Sequence, residues 1–349
     1  MLRIGPIELD TPFVQAALSG YSDLPMRRVA RAYGASYTIN EVMLDTLVLV
    51  GGKKSRRILD VAEDDHPVGG QLMGADPEVF GDAAGWMARA GYDVIDINFG
   101  CPVKKVLGRC RGGFHLSNPA TALDIIRRVL DAVGDTHPVT VKMRRGLDDA
   151  PNSERKFFEI LDGAFDMGVS AVTVHGRTVL QRYRGPSRWT FLKKVKKHVG
   201  KKTILGSGDL FSAEACVRMM TETGVDGVTI ARGCIGNPWI FEECRALFSG
   251  GELPLPPCIA AQRKAIELHW RHTEAVYDEK YAPRMMRKVG IKYSEHHPHA
   301  RDVRNAFVAV SSAADVRHVI DRWYDPDVDW PVVQRRQGHG DLVAAGATM

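Results

Sequence analysis

Eight short apolar runs punctuate the first 231 residues, and between them lie stretches long enough to hold a helix. They span residues 12–17, 36–43, 67–73, 92–98, 138–144, 171–175, 203–206 and 227–231, and each is bounded by turn formers. The intervening sequence predicts helices over 24–33, 77–90, 119–133, 152–167, 188–198 and 213–223. Two of these open with an N-cap residue followed by proline, Asp76-Pro77 and Asn118-Pro119. Gly91, Gly168 and Gly224 fall where a helix must stop before the next strand. Residues 44–65 are less regular, with a helix placed only loosely. Eight strand and helix alternations predict an α/β fold of one class, a (β/α)8 TIM barrel over residues 1–250. In such a barrel, catalytic groups gather on the loops that leave the C-terminal ends of the strands.

Polar and reactive residues occur where the apolar runs end. The third run ends at Gln71, the fourth at Asn98 and Cys101, the fifth at Lys142 and Arg144, and the sixth at His175 and Arg177. The seventh leads into Gly206-Ser207-Gly208-Asp209 and the eighth into Ala231-Arg232-Gly233. Gly-rich turns after the last two strands expose backbone N–H groups to which an anion can come close, which predicts a phosphate-bearing cofactor. Cys101 lies in Gly100-Cys101-Pro102, where glycine and proline end the strand and hold a lone thiol at its mouth. A small buried cysteine filling a turn is the plain alternative.

The composition fits a folded globular chain: 44% hydrophobic and 26% charged residues among 349. No apolar run reaches the length of a membrane span, and the N-terminus lacks a basic stretch followed by an apolar one, so a cytoplasmic location is expected. Six cysteines without C-x-x-C spacing predict reduced thiols rather than a disulfide framework or zinc ribbon. The net charge of +5 is unevenly spread: residues 260–304 carry ten Lys or Arg against six Asp or Glu, with five His besides. Such a segment fits either a phosphate-binding surface or a solvated helical face. Arg284, Arg287, Lys288 and Lys292 fall largely on one helical face, and His296, His297 and His299 follow in a proline-containing turn that reads as a polar loop rather than a metal site.

The motifs are similar to those of the flavin-dependent tRNA dihydrouridine synthases of bacteria. The matching segments are TPFVQAALSGYSD (11–23), VGGQLMGA (68–75), DINFGCPVKKV (96–106), PVTVKMRRG (138–146), VHGRT (174–178) with Tyr183-Arg184-Gly185, and ARGCIGNPWIF (231–241). They keep the family's order across roughly residues 4–245, and the part from Arg284 onward resembles its helical RNA-binding domain more loosely. The resemblance implies three parts: the barrel, a helical RNA-binding domain over 258–325, and a flexible tail over 326–349.

It also implies an FMN across the barrel mouth, reduced by NADPH or NADH, and a uridine in tRNA as substrate. Reduction of the uracil C5=C6 bond then takes a hydride from the flavin at C6 and a proton at C5, the latter from Cys101 as general acid. That task requires Cys101 to stay protonated near neutral pH. By resemblance, Lys142 contacts the flavin and favours its anionic reduced form, Gln71 bonds its pyrimidine edge, and His175 and Arg177 lie near flavin and substrate. Gly208 and Arg232 hold the phosphate, with Ala17, Ser207, Asp209 and Ala231 completing the cofactor site. Asn98 orients the uracil, and Arg284, Arg287 and Lys288 bind the RNA. No metal, membrane or obligate protein partner is expected.

The chain departs from the family pattern most clearly at residues 109–116. Arg109-Cys110-Arg111-Gly112-Gly113-Phe114-His115-Leu116 is bulkier and more polar than the usual loop, and can reshape substrate access, add a second proton carrier or pack differently. Ser207 and Arg145 also differ from the common residues. Two other readings stand beside the RNA enzyme: an FMN barrel acting on a small molecule such as a pyrimidine or enone, and a family member acting on a different RNA.

Overall fold

The computed structural model describes residues 1–52 and 59–335. Eight parallel strands close into a barrel: β3 (Phe13–Gln15), β4 (Tyr37–Ile39), β6 (Val68–Met73), β7 (Val94–Phe99), β8 (Val139–Arg144), β9 (Ala171–His175), β10 (Ile204–Ser207) and β11 (Gly227–Ile230). Closure comes from β11 pairing with β3, Val228 opposite Phe13, while β4 pairs directly with β6. A short strand, β5 (Met43–Leu44), adds to the far end of β6. The loosely placed helix after it forms over Asp45–Leu49; residues 53–58 lie outside the described residues.

Alternation along each strand separates core from site. In β7, Ile95, Ile97 and Phe99 join the main hydrophobic core beneath the surrounding helices, and Asp96 and Asn98 point the other way, into the barrel. In β8, Val139, Val141 and Met143 join that core, leaving Thr140, Lys142 and Arg144 inside. Helices Pro77–Arg89 and Pro119–Val133 start where the sequence predicts, with Asp76 Oδ1 accepting from the Glu78 N–H at 2.9 Å and Asn118 Oδ1 from the Thr121 N–H.

The barrel floor is closed by an element outside the eight alternations. An antiparallel hairpin of β1 (Leu2–Ile4) and β2 (Ile7–Leu9), turning at Gly5 with φ +58°, plugs it. Leu2, Ile4 and Leu9 pack there on Val14, Tyr37, Ile39, Val94 and Leu205. Three residues of alternating pattern on each side of Gly5-Pro6, Leu2-Arg3-Ile4 and Ile7-Glu8-Leu9, are its mark in the sequence.

After the barrel, four helices, Ile259–Val276, Ala282–Tyr293, Ala300–Ala309 and Ala313–Trp323, build a second hydrophobic core around Ile266, Met286, Phe307 and Ile320. Trp239, the first residue of helix Trp239–Phe248, inserts into this second core. At the junction Gly236 adopts φ +67°, and a Cβ there would lie 2.5 Å from the Lys292 carbonyl carbon and Tyr293 nitrogen. The backbones therefore touch directly. Of the stretch expected to be a loose tail, residues 326–335 are tied down: Trp330 Nε1 donates to the Asp325 carbonyl at 2.7 Å, and Arg335 pairs with Glu243 at 2.7 Å. Residues 336–349 lie outside the described residues.

Candidate active site

The turn after β7 is held from three sides. Asn98 Oδ1 accepts from the Gly100 and Cys101 N–H groups, both at 3.0 Å, Arg144 Nε donates to the Gly100 carbonyl at 2.9 Å, and Gly113 N–H donates to the Cys101 carbonyl at 3.1 Å. Cys101 is half-buried, and burial pushes its thiol up, against the opposing effects of the Val103 N–H and the Arg144 charge. The thiol is therefore protonated at neutral pH. The divergent loop closes over this turn: Gly112, at φ +59°, leaves no room for a Cβ, which would fall 2.8 Å from the Cys101 Cβ. His115 is buried, its Nε2 3.0 Å from the Gly74 carbonyl oxygen and its ring 5.0 Å from Phe99. Of the three roles open to this loop, packing is the one these contacts describe.

Inside the barrel a line of side chains runs up to Cys101. Thr140 donates to Asp96 Oδ1 at 2.6 Å, Gln71 Nε2 donates to Asp96 Oδ2 at 2.6 Å, and Asn98 Nδ2 donates to Gln71 Oε1 at 2.7 Å. Burial raises the Asp96 carboxyl to about 6, although both hydrogen bonds and the Lys142 charge oppose the rise. Lys142 is lowered to about 8 by burial, with Asp96 pulling it back up. Its Nζ lies 3.4 Å from Ser207 Oγ on β10. His175, hemmed in by Arg144, Lys142, Arg177 and Arg232, is held well below the usual imidazole range by burial first and those charges second, so it is neutral.

The opposite rim is made of backbone. Gly208 adopts φ +116°, and a Cβ there would lie 2.3 Å from Ser187 Oγ and 2.9 Å from His175 Cδ2. Asp209, itself at φ +59°, accepts from the Ser187 N–H and from Arg177, both at 2.7 Å. Arg177 is otherwise spent on the Gly185 carbonyl, at 2.6 and 2.9 Å, and reaches only within 3.4 Å of His175 Nε2. Arg232 is exposed, 3.8 Å from Asp209 and stacked at 4.7 Å on Tyr183 and 5.1 Å on Phe211. Ala17 and Ala231 follow the ends of neighbouring β3 and β11, linked by Ala16 N–H to the Ile230 carbonyl at 2.9 Å. A turn that only a residue without a Cβ can make, beside a loosely paired guanidinium, fits a phosphate, and a buried ammonium with neutral imidazole and amide groups fits the flat polar ring of FMN.

Residues 14–324 match the family described as dihydrouridine synthase. This chain belongs to the dihydrouridine synthase family. It is 31% identical over 325 residues to a probable tRNA-dihydrouridine synthase of Rickettsia conorii, covering 93% of this chain and 96% of that protein. A probable tRNA-dihydrouridine synthase of Mycobacterium tuberculosis is 33% identical over 339 residues, 95% and 86% of the two chains. The tRNA-dihydrouridine synthase B of Xanthomonas axonopodis is 30% identical, covering 93% of this chain and 95% of that one. Among solved structures, morphinone reductase in complex with tetrahydroNAD superposes with a TM-score of 0.54 at 14% identity, over 73% of this chain and 91% of that one. That likeness is one of fold.

Beyond the barrel of this dihydrouridine synthase family member, the helical unit divides its basic residues. Arg284 and Arg287 are exposed on helix Ala282–Tyr293, and neither is ion-paired among the described residues. Lys288 instead turns to the barrel, 4.7 Å over the Tyr21 ring, where Asp23 and Glu41 offset the burial that lowers its affinity for a proton. His297 is buried, 2.6 Å from the Trp323 carbonyl oxygen and surrounded by Trp323, Tyr324 and Trp330. Among the described residues no three His, Cys, Asp or Glu side chains are placed to hold a metal, and no helix is long and apolar enough to cross a membrane.

Three contributors had no role assigned from the sequence. Asp96 anchors the line to Cys101, Arg144 ties down the same turn, and Tyr183 lies between Arg144, at 5.5 Å, and Arg232.

Proposed function

We propose that this chain reduces the C5=C6 bond of specific uridines in tRNA to dihydrouridine, using FMN recharged by NADPH or NADH, in the cytoplasm. The observation that carries the reading is Cys101: a half-buried thiol at the barrel mouth, its backbone fixed on both its N–H and its carbonyl, with burial pushing the thiol up. Gln71, Lys142, His175, Ser207, Gly208, Asp209, Ala231, Arg232 and Ala17 hold the cofactor, with Gly208 and Arg232 at its phosphate. Bound and reduced, FMN supplies the hydride that reaches C6 of the uracil. Cys101 Sγ gives its proton to C5, which collapses the enolate to the saturated ring, and solvent then returns a proton to the thiolate. Asn98 orients the uracil, and Arg177 acts through Asp209 and His175 rather than by direct contact.

The target base must leave its stack to enter the mouth. Residues 258–325 hold the body of the RNA, with Arg284 and Arg287 meeting phosphates and Lys288 bracing the helical unit on the barrel. The test is direct: purified protein, visibly yellow, is given NADPH and unmodified tRNA, and the two-hydrogen mass gain is mapped by position. Gain at defined uridines supports the reading. A yellow protein that reduces an enone but leaves every tRNA unchanged overturns it in favour of small-molecule reduction.

A further inference from the structure

We infer that Asp96 is the positioning residue that sets the polarity of the whole line from the barrel interior to Cys101. The inference rests on the reading that Gln71 and Asn98 meet flavin and uracil. A carboxylate accepts hydrogen bonds and donates none. Asp96, 1% exposed, has one oxygen 2.6 Å from the Thr140 hydroxyl and the other 2.6 Å from Gln71 Nε2. A Gln71 amide turned the other way would bring its own oxygen against that carboxylate, two acceptors in contact. The amide nitrogen of Gln71 must therefore face Asp96, which leaves Oε1 facing Asn98. Asn98 then has to offer its Nδ2 to Gln71, at 2.7 Å, and its Oδ1 to the N–H groups of Gly100 and Cys101. One charge thus fixes two amides and the turn that carries the thiol.

The consequence reaches the bound rings. After these bonds, Gln71 and Asn98 each keep one N–H without a partner among the described residues, Asn98 Oδ1 has both lone pairs taken, and Gln71 Oε1 has one left. The site therefore offers donors, which suit the carbonyl oxygens of a flavin or a uracil. The arrangement depends on strand register: Asp96 lies opposite Gln71 on β6 and opposite Thr140 on β8.

A swap of partners tests this without relying on catalysis. Gln71→Glu alone sets two carboxyl groups against each other, and at alkaline pH, where neither keeps a proton to donate, they repel. Adding Asp96→Asn supplies an amide nitrogen to the introduced carboxylate, whose other oxygen still accepts from Asn98, so the polarity up to Cys101 is restored. The readout is the rate of Cys101 alkylation by iodoacetamide in the FMN-free protein, followed by peptide mass spectrometry against exposed Cys258 as the internal reference. Gln71→Glu is expected to change that ratio by about tenfold, the effect of losing one hydrogen bond to a buried group, and the double variant to return it close to wild type. FMN affinity should remain lowered in both, because the Gln71 N–H is gone.

A double variant no closer to wild type than Gln71→Glu, at equal melting temperature, overturns the role of Asp96. Should the pair fail to fold, Asp96→Asn alone decides through hydrogen exchange at the Cys101 amide: faster exchange supports the inference and an unchanged rate overturns it. Failure of the functional reading looks different, with wild-type protein leaving tRNA unreduced while the alkylation pattern still shows the swap.

Discussion

The two sides of the barrel mouth are built on different principles. On the β6–β8 side, side chains do the holding: Asp96, Gln71, Asn98 and Arg144 fix the Cys101 turn through directed hydrogen bonds. On the β10–β11 side the holding is done by shape, with Gly208 at φ +116° and Gly233 so close to the Leu210 carbonyl that a Cβ would overlap it. The first side is specified by which atoms donate and accept, the second also by which atoms are missing, around the Asp209 bonds to Arg177 and Ser187. Chemistry that moves a proton needs the former; anchoring a phosphate needs the latter.

Substitutions can break this contrast one side at a time. Cys101→Ala is expected to lower dihydrouridine formation by about a hundredfold or more, as loss of a general acid does, while the protein stays yellow and binds tRNA. Single-turnover assays with mass spectrometry check it. Gly208→Ala is expected to reverse the pattern, weakening FMN by about a hundredfold because the added carbon meets Ser187 and His175 in a strained backbone, with turnover per bound FMN little changed. Fluorescence titration with FMN reads the difference. Arg232→Met should weaken FMN by about tenfold, the loss of one charge-assisted bond, with Tyr183 left to its stack on Arg144.

The buried charge on the side-chain side also predicts a trade of stability against function. The Asp96 carboxyl is raised from 3.8 to about 6 in the folded state. Its favourable contribution is therefore complete below pH 3.8 and lost as pH rises through about 6, so the ionised group costs stability at neutral pH. Asp96→Asn should melt at or above wild type at pH 7 and lose that margin at pH 4, while making less dihydrouridine. Thermal melts at the two pH values check the sign.

The smallest effect lies on the helical unit. Arg284→Glu with Arg287→Glu should raise KM for tRNA several-fold and flatten its salt dependence, leaving NADPH oxidation by oxygen unchanged. The same change at Lys288 should act on stability, since that side chain is enclosed by Tyr21, Asp23 and Glu41.

What was legible along the chain follows the same division. The eight runs, their order and the Gly208 turn are local features, and each appears where the sequence places it; β9, for instance, spans Ala171–His175 as expected. The role of Asp96 was not legible, because its partners Gln71 and Thr140 are 25 and 44 residues away and meet it only through strand register. Periodicity groups Lys288 with Arg284 and Arg287 but does not say which residue at the edge of that face turns toward a neighbouring unit, as Lys288 does toward Tyr21. The floor hairpin is less legible although Gly5-Pro6 announces a turn, since six residues of strand lie below the length that pattern reading weights.

The most direct test of the account is dihydrouridine mapping of tRNA from cells lacking this gene, complemented with wild type or with Cys101→Ala. The account predicts that defined uridines lose their reduction in the deletion, regain it with wild type and stay unreduced with Cys101→Ala. Full restoration by Cys101→Ala, or a dihydrouridine pattern untouched by the deletion, would contradict it.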